Sequence, residues 1–202
     1  MNSALDFETI YQEYYSKILK YVTRLIGPFH AEDVTQEVFS KANRNLQTLK
    51  KGSKLSSWLY RIATNTAIDK TRALSFKHSE NNESGEENIS FQDKNTWTGE
   101  NRSSTDQTLI KEEMRGCVQE FIYRLPKDYK TVLILREYEG RNNKEIAQIL
   151  DVSIHTVKIR YHRAKAMLKK ELDSGCDFYV DDENRLLCDR KQTSSIFIKL
   201  PK

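Results

Sequence analysis

No run of about eighteen apolar residues and no signal-peptide pattern occurs in these 202 residues, so the sequence predicts a soluble, cytoplasmic protein without membrane insertion. Cysteine is scarce: Cys117, Cys176 and Cys188 are too few and too spread for a secreted disulfide scaffold. Also missing are a nucleophile–base pair, a phosphate-binding loop and a dense metal motif, which argues against an enzyme and against any cofactor. Nor does one charge dominate, the formal net charge being +4. With 38% hydrophobic and 31% charged residues, the chain is polar for one globule and suits two small cores with a soluble connector.

What the chain does have is segregated charge. From Lys127 to Glu171 eleven Lys or Arg face six acids, a net of +5, whereas from His78 to Thr108 two cations face seven acids, a net of −5. A basic module beside an acidic segment suggests a polyanion partner. Within the basic part, NNKEIAQILDVSIHTVKIRYHRAKAMLKKEL, Asn142 to Leu172, has the pattern of a helix-turn-helix. Ile146, Ala147 and Leu150 recur at helical spacing, Asp151 and Val152 interrupt them, and Ser153 can cap a second helix carrying Val157, Ala164 and Leu168 inward. His155, Thr156, Lys158, Arg160, His162 and Arg163 crowd its first three turns, where side chains entering a major groove must sit. An ordinary αα-hairpin with a solvated basic face has the same pattern, so the preceding chain must decide.

That chain begins with a strong helix. Phe7, Ile10, Tyr11, Tyr14, Tyr15, Ile18, Leu19, Val22 and Leu25 recur at three- and four-residue steps until Gly27-Pro28. The next helix places Glu32 and Asp33 in its first turn, where the dipole favours acids, and turns Val34, Val38 and Phe39 inward. Asp33, Gln36 and Glu37 fall at i, i+3 and i+4 and share one polar patch, which taken alone is a solvated face. A third helix follows the Ser56-Ser57 cap, with Trp58, Leu59, Ile62, Ala63, Ala67 and Leu74 on its apolar stripe. Arg61, Asn65, Asp69, Lys70 and Arg72 occupy its other face, and Lys54 lies just before it. Three such helices can close a small bundle.

From Ser75 to about residue 107 apolar periodicity is lost in a stretch rich in Ser, Asn, Glu, Asp and Thr. It predicts a flexible acidic linker with Phe91 and Trp97 as anchors. Periodicity resumes at Leu109, Met114, Cys117, Val118, Phe121, Ile122 and Leu125, and again at Tyr129, Val132, Leu133 and Leu135, with Cys117 assigned to the core. The predicted fold is therefore all-α: two small helical domains, 1–74 and 108–172, joined by the linker 75–107.

AEDVTQEVF, SSWLYRIATNTAIDKTR and LPKDYKTVLILREYEGRNNKEIAQILDVSIHTVKIRYHRAKAML, in this order and with an acidic linker before the third, resemble the extracytoplasmic-function group of bacterial sigma factors from Phe7 to Leu172. The resemblance implies that 1–74 is sigma region 2, docking on the clamp helices of the largest polymerase subunit through Asp33, Gln36 and Glu37. It also implies minus-10 recognition and melting through Lys54, Arg61, Asn65, Asp69, Lys70 and Arg72, with a flipped base near Leu49 to Ser56. Residues 108–172 would be region 4, binding the flap of the second-largest subunit. They would read the minus-35 element through His155, Thr156, Lys158, Arg160, His162 and Arg163. Ile159 stands where the family commonly has a small polar residue. The acidic linker would run toward the RNA exit channel as a nucleic-acid mimic. Core polymerase and promoter DNA are the implied partners, with room for an anti-sigma factor. The competing reading is a stand-alone helix-turn-helix regulator with an N-terminal sensor or dimerisation domain, which has no need for the Asp33-Gln36-Glu37 patch.

Residues 173–202 form a C-terminal extension beyond that resemblance. Phe178 to Val180 and Arg185 to Cys188 predict two short strands around an Asp181 to Asn184 turn, a hairpin that brings Cys176 and Cys188 together. Two thiols can cycle to a disulfide or ligate a soft metal, although a closed zinc site needs four ligands.

Overall fold

Asp6 starts the first helix: its carboxylate accepts a hydrogen bond from the Thr9 amide at 3.3 Å, satisfying one of the donors that a helix start leaves open. Helix α1 then runs Phe7–Ile26. It stops at Gly27, whose φ of 85° is cheap only for glycine and whose amide closes on the Thr23 carbonyl. This computed structural model describes residues 6–49, 54–80, 105–180, 184 and 186–191. Ile10, Ile18, Val22 and Leu25 are buried as their spacing predicts. Phe7, Tyr11 and Tyr15 gather instead around Phe39 of α2 (Ala31–Asn45), with ring centroids 4.9 to 6.5 Å from it. Val34, Val38 and Phe39 face inward as predicted.

A 3-10 turn, Leu46–Thr48, follows. Helix α3 spans Leu55–Glu80, longer than predicted at both ends, so the first six residues of the predicted flexible linker, 75–80, are helical; no Gly or Pro breaks the helix after Leu74. Leu59, Ala63 and Ala67 are buried, but Trp58 and Ile62 are only half-buried. Tyr60 takes the central place instead. Its ring lies 4.9 Å from that of Tyr21, and Tyr21 satisfies its own hydroxyl on Thr64 Oγ1 at 2.8 Å. Both tyrosines sit off the predicted stripes, since an aromatic with a polar tip can be buried wherever that tip finds a partner.

The remaining helices are α4 (Thr105–Arg124), α5 (Lys127–Glu137), α6 (Asn143–Leu150) and α7 (Ile154–Gly175). In α5, Thr131 to Leu135 are buried one after another, so the middle of this helix is enclosed on all sides while its ends reach the surface. Two compact units form: Met1–Ile89 with Lys127–His162, and Ser90–Pro126 with Arg163–Lys202. The fold is the predicted all-α, two-domain one, but packing groups α5 and α6 with the first three helices, whereas the sequence blocks divide at 75–107. Phe91, Trp97 and most of that acidic segment lie outside the described residues.

Strands β1 (Cys176–Val180) and β2 (Leu186–Arg190) pair antiparallel with Cys176 opposite Arg190 and Cys188 opposite Phe178. The predicted hairpin is present with shifted strand limits, and its pairing extends down to α7. Anchors at its base explain this: the Lys191 amide bonds the Gly175 carbonyl at 3.0 Å, and Arg190 grips both carboxylate oxygens of Glu120 at 2.9 and 3.0 Å. Most of the predicted turn, 181–183, lies outside the described residues.

Candidate nucleic-acid interface

The helix-turn-helix is fixed by caps at both helix starts. Asn142 accepts from the Lys144 and Glu145 amides at 2.9 and 3.0 Å, while Glu145 accepts from the Asn142 amide at 2.8 Å. This reciprocal capping box starts α6. Asp151, at φ 55° and ψ 46°, turns the chain in the left-handed region that Asp tolerates better than most. Ser153 then caps α7 as predicted, its Oγ accepting from the Thr156 amide at 3.0 Å. Ile146, Ala147, Ile149, Val157 and Ala164 are buried, so each helix turns its polar side outward.

On α7 the side chains of His155, Lys158, His162 and Arg163 are exposed, whereas Thr156 and Arg160 are half-buried. The Thr156 hydroxyl lies 2.8 Å from Ser153 Oγ, so it already shares in the cap. Arg160 Nη2 donates to Asp128 of α5 at 2.7 Å. Exposed Ile159 adds an apolar contact on the same outer face. The cluster can meet phosphates with Lys and Arg, and base edges with His or a freed guanidinium.

On α3, Asn65, Asp69 and Arg72 are exposed and Lys70 is half-buried; Lys54 is exposed just ahead of the helix. Arg61 is engaged, donating to Asp151 Oδ2 at 2.8 Å. Residues 50–53, within the loop expected to hold a flipped base, lie outside the described residues. On α2, Asp33, Gln36 and Glu37 are exposed together, with Glu37 tied to Lys41 at 2.7 Å.

A second polar cluster, which sequence patterns do not suggest, joins α1 and α3 to the turn between α5 and α6. Gly140, at φ 63°, lets the chain reverse so that the Arg141 amide bonds the Leu135 carbonyl at 2.9 Å. Glu139 thereby points into the unit. It pairs with Arg24 at 2.7 Å, the two side chains being 9% and 11% exposed, and accepts from the Tyr60 hydroxyl. Burial and the bond to Glu139 push the Tyr60 phenol well above its ordinary value, so it stays a donor. Arg141 stacks over the Tyr60 ring at 4.4 Å and donates to Ser56 Oγ at 2.8 Å. The lone signal in the sequence is the turn Glu139-Gly140, which does not say what the acid will meet.

Among the described residues no group of three or more His, Cys, Asp or Glu is placed to hold a metal ion, and no helix is long and apolar enough to cross a membrane. Cys117, assigned to the core by its spacing, is half-buried, with its Sγ 3.6 Å from that of Cys176.

Two family models match: Sigma-70 region 2 over residues 10–76 and Sigma-70, region 4 over residues 115–168. The chain is 33% identical over 168 residues to the ECF RNA polymerase sigma factor SigW of Bacillus subtilis, covering 82% of this chain and 88% of that one. It is 31% identical to the RNA polymerase sigma-H factor of Pseudomonas aeruginosa and 30% to the ECF RNA polymerase sigma-E factor of Escherichia coli K12, each covering 82% of this chain and 86% of the relative. Among solved structures, the sigma factor RpoE in complex with the anti-sigma factor NepR from Bartonella quintana superposes with a TM-score of 0.63 at 21% identity, covering 83% of this chain and 97% of that one. CnrH in complex with the cytosolic domain of CnrY gives 0.56 at 20%, covering 83% and 88%. At those identities the two structures speak for the fold.

Proposed function

We propose, from the premise that the chain belongs to the extracytoplasmic-function group of the sigma-70 family, a division of labour among its named residues. The protein is a sigma factor: it binds core RNA polymerase, recognises minus-35 and minus-10 promoter elements and initiates transcription. Members of this family are initiation factors and not enzymes by themselves; this chain carries no catalytic activity of its own and acts in the cytoplasm. Promoter DNA and core polymerase are its partners, and an anti-sigma factor is the partner expected to hold it inactive.

Region 2, residues 1–74, docks on the clamp helices through Asp33, Gln36 and Glu37, which share one exposed face of α2. It meets minus-10 DNA through Lys54, Arg61, Asn65, Asp69, Lys70 and Arg72. Opening the duplex there requires captured bases to offset the loss of stacking, a few kcal/mol per step. Region 4, residues 108–172, meets minus-35 DNA through His155, Thr156, Lys158, Arg160, His162 and Arg163. The linker 75–107 connects the two readers, and residues 173–202 are an addition to both.

The observation that carries this reading is the co-occurrence, in one chain, of a capped helix-turn-helix with cations on its outer helix and a three-helix block with its own polar face. Arg61 and Arg160 are held by Asp151 and Asp128, so reading DNA requires each to exchange a carboxylate for a phosphate or base. Those pairs are substantially exposed, and exposed pairs are worth only about 0 to 1 kcal/mol, so the exchange is cheap.

Reconstitution with core polymerase on a double-stranded promoter tests the reading. Specific initiation is expected only with both components present. Tight duplex binding by the chain alone, with no association to core, would sink it in favour of a stand-alone regulator.

A further inference from the structure

The C-terminal hairpin is fixed to α4 and to the end of α7 by contacts that do not involve sulfur. Arg190 of β2 makes its two bonds to Glu120, and Lys191 bonds the Gly175 and Asp173 carbonyls. Gly175 lies so close to Phe121 that a Cβ there would come within 2.4 Å of the ring. A glycine at that point is therefore what lets the tail approach the helix. This docking brings Cys176, 2% exposed, to the half-buried Cys117, although 59 residues separate them in sequence; the Sγ atoms are 3.6 Å apart. Cys188 shares the face of the hairpin that carries Cys176, because its register partner, Phe178, is two positions from Cys176 on β1.

We propose that Cys117 and Cys176 are a reversible dithiol–disulfide site, oxidised by small disulfides of the glutathione class, with Cys188 as a neighbouring exchange thiol rather than a member of the final bond. Closing 3.6 Å to the roughly 2.05 Å of a disulfide is within side-chain reach. The sequence pattern by itself points to Cys176 and Cys188, and those two side chains do interact; the docked hairpin adds Cys117, whose sulfur meets that of Cys176 at 3.6 Å.

The reaction balances as ordinary exchange. The thiolate of half-buried Cys117 attacks glutathione disulfide, forming a mixed disulfide and releasing one glutathione. The buried Cys176 thiolate then attacks the Cys117 sulfur and expels the second glutathione. Two protein thiols lose two electrons and two protons in all, and one small disulfide becomes two thiols.

Surroundings set the pace. Burial pushes the Cys117 thiol up to about 11, the adjacent Cys176 and Glu120 adding to it and Arg190 opposing it. Cys176 and Cys188 are raised as well, in each case first by burial. Thiolate is therefore scarce near neutral pH and oxidation is slow, quickening as pH rises toward 11. The site suits sustained oxidation and not a brief pulse.

The test uses the whole chain, folded, with glutathione disulfide at pH 8, followed by alkylation, intact mass and peptide mapping. The expected product has lost two hydrogens, keeps one alkylated cysteine, Cys188, and yields a cross-linked peptide pair containing Cys117 and Cys176. It returns to three alkylated thiols after dithiothreitol. C188S should form the same bond, whereas C117S and C176S should not, with unchanged circular dichroism showing that they fold. Three free thiols after oxidation, a Cys176–Cys188 bond in its place, or only intermolecular dimers would each overturn the proposal. None of these readouts involves polymerase or DNA, so the outcome is independent of the functional reading above.

Discussion

Two sets of ion pairs in the first unit use the same side-chain chemistry and have opposite consequences. Around Glu139, a carboxylate, two guanidiniums and a phenol meet away from water, with Arg24 and Glu139 about one-tenth exposed. On the helix-turn-helix, Arg160–Asp128 and Arg61–Asp151 are as short, but one-quarter to three-quarters exposed. Inside, each charge depends on its partner because neither can fall back on water. Outside, water is always the alternative, so a pair can open when something better arrives. The first set can hold α1, α3 and the α5–α6 turn together, and the second can be given up to DNA.

The contrast can be broken from its strong end first. Glu139→Ala strands the buried Arg24 guanidinium and should cost about 3 to 5 kcal/mol of stability, read as a large fall in the urea midpoint; a shift no larger than that of a surface variant would remove the distinction. Next, Arg163→Ala removes an exposed cation proposed to meet minus-35 DNA. At ~1 to 3 kcal/mol per good contact, promoter-dependent transcription by holoenzyme should fall roughly 5- to 150-fold, with little change in the weak DNA binding of the isolated chain. Equal losses in the two settings would contradict a reader that borrows its grip from polymerase and effective concentration.

Asn142→Ala deletes one side of the capping box and should cost about 1 kcal/mol, placing it between the buried and the exposed pairs in a thermal melt. The smallest effect is expected from Asp128→Asn, within ~1 kcal/mol in stability and accompanied by a slight gain in minus-35 affinity as Arg160 is released. Should it destabilise the protein as much as Glu139→Ala, exposure would not be the variable that separates the two sets.

Much of the architecture was legible because helices are local objects. The Gly27 stop, the Ser153 cap and the inward Val34, Val38, Phe39, Val157 and Ala164 follow from periodicity and capping chemistry, which act over one or two turns. Tyr21 and Tyr60 were not legible, since their burial depends on each other and on Thr64 from another turn of structure. Trp58 illustrates the reverse: its spacing puts it on the stripe, yet Tyr60 fills the centre and leaves it half-buried. The polar faces of α2, α3 and α7 could be picked out as exposed, but not the acids that hold two of their arginines.

The sequence by itself determined the stop at Gly27 and the cap at Ser153, which helix faces are apolar, and that cations crowd the outer side of the second helix of a helix-turn-helix. Those properties depend on neighbours within a turn or two, and the chain order supplies them. Tertiary structure decided which distant groups meet: Arg24 with Glu139 across 115 positions, Arg61 with Asp151 across 90, Cys117 with Cys176 across 59. No local pattern encodes such meetings, because each depends on the packing of whole helices against one another, and it is that packing which makes one carboxylate a buried anchor and another an exchangeable one.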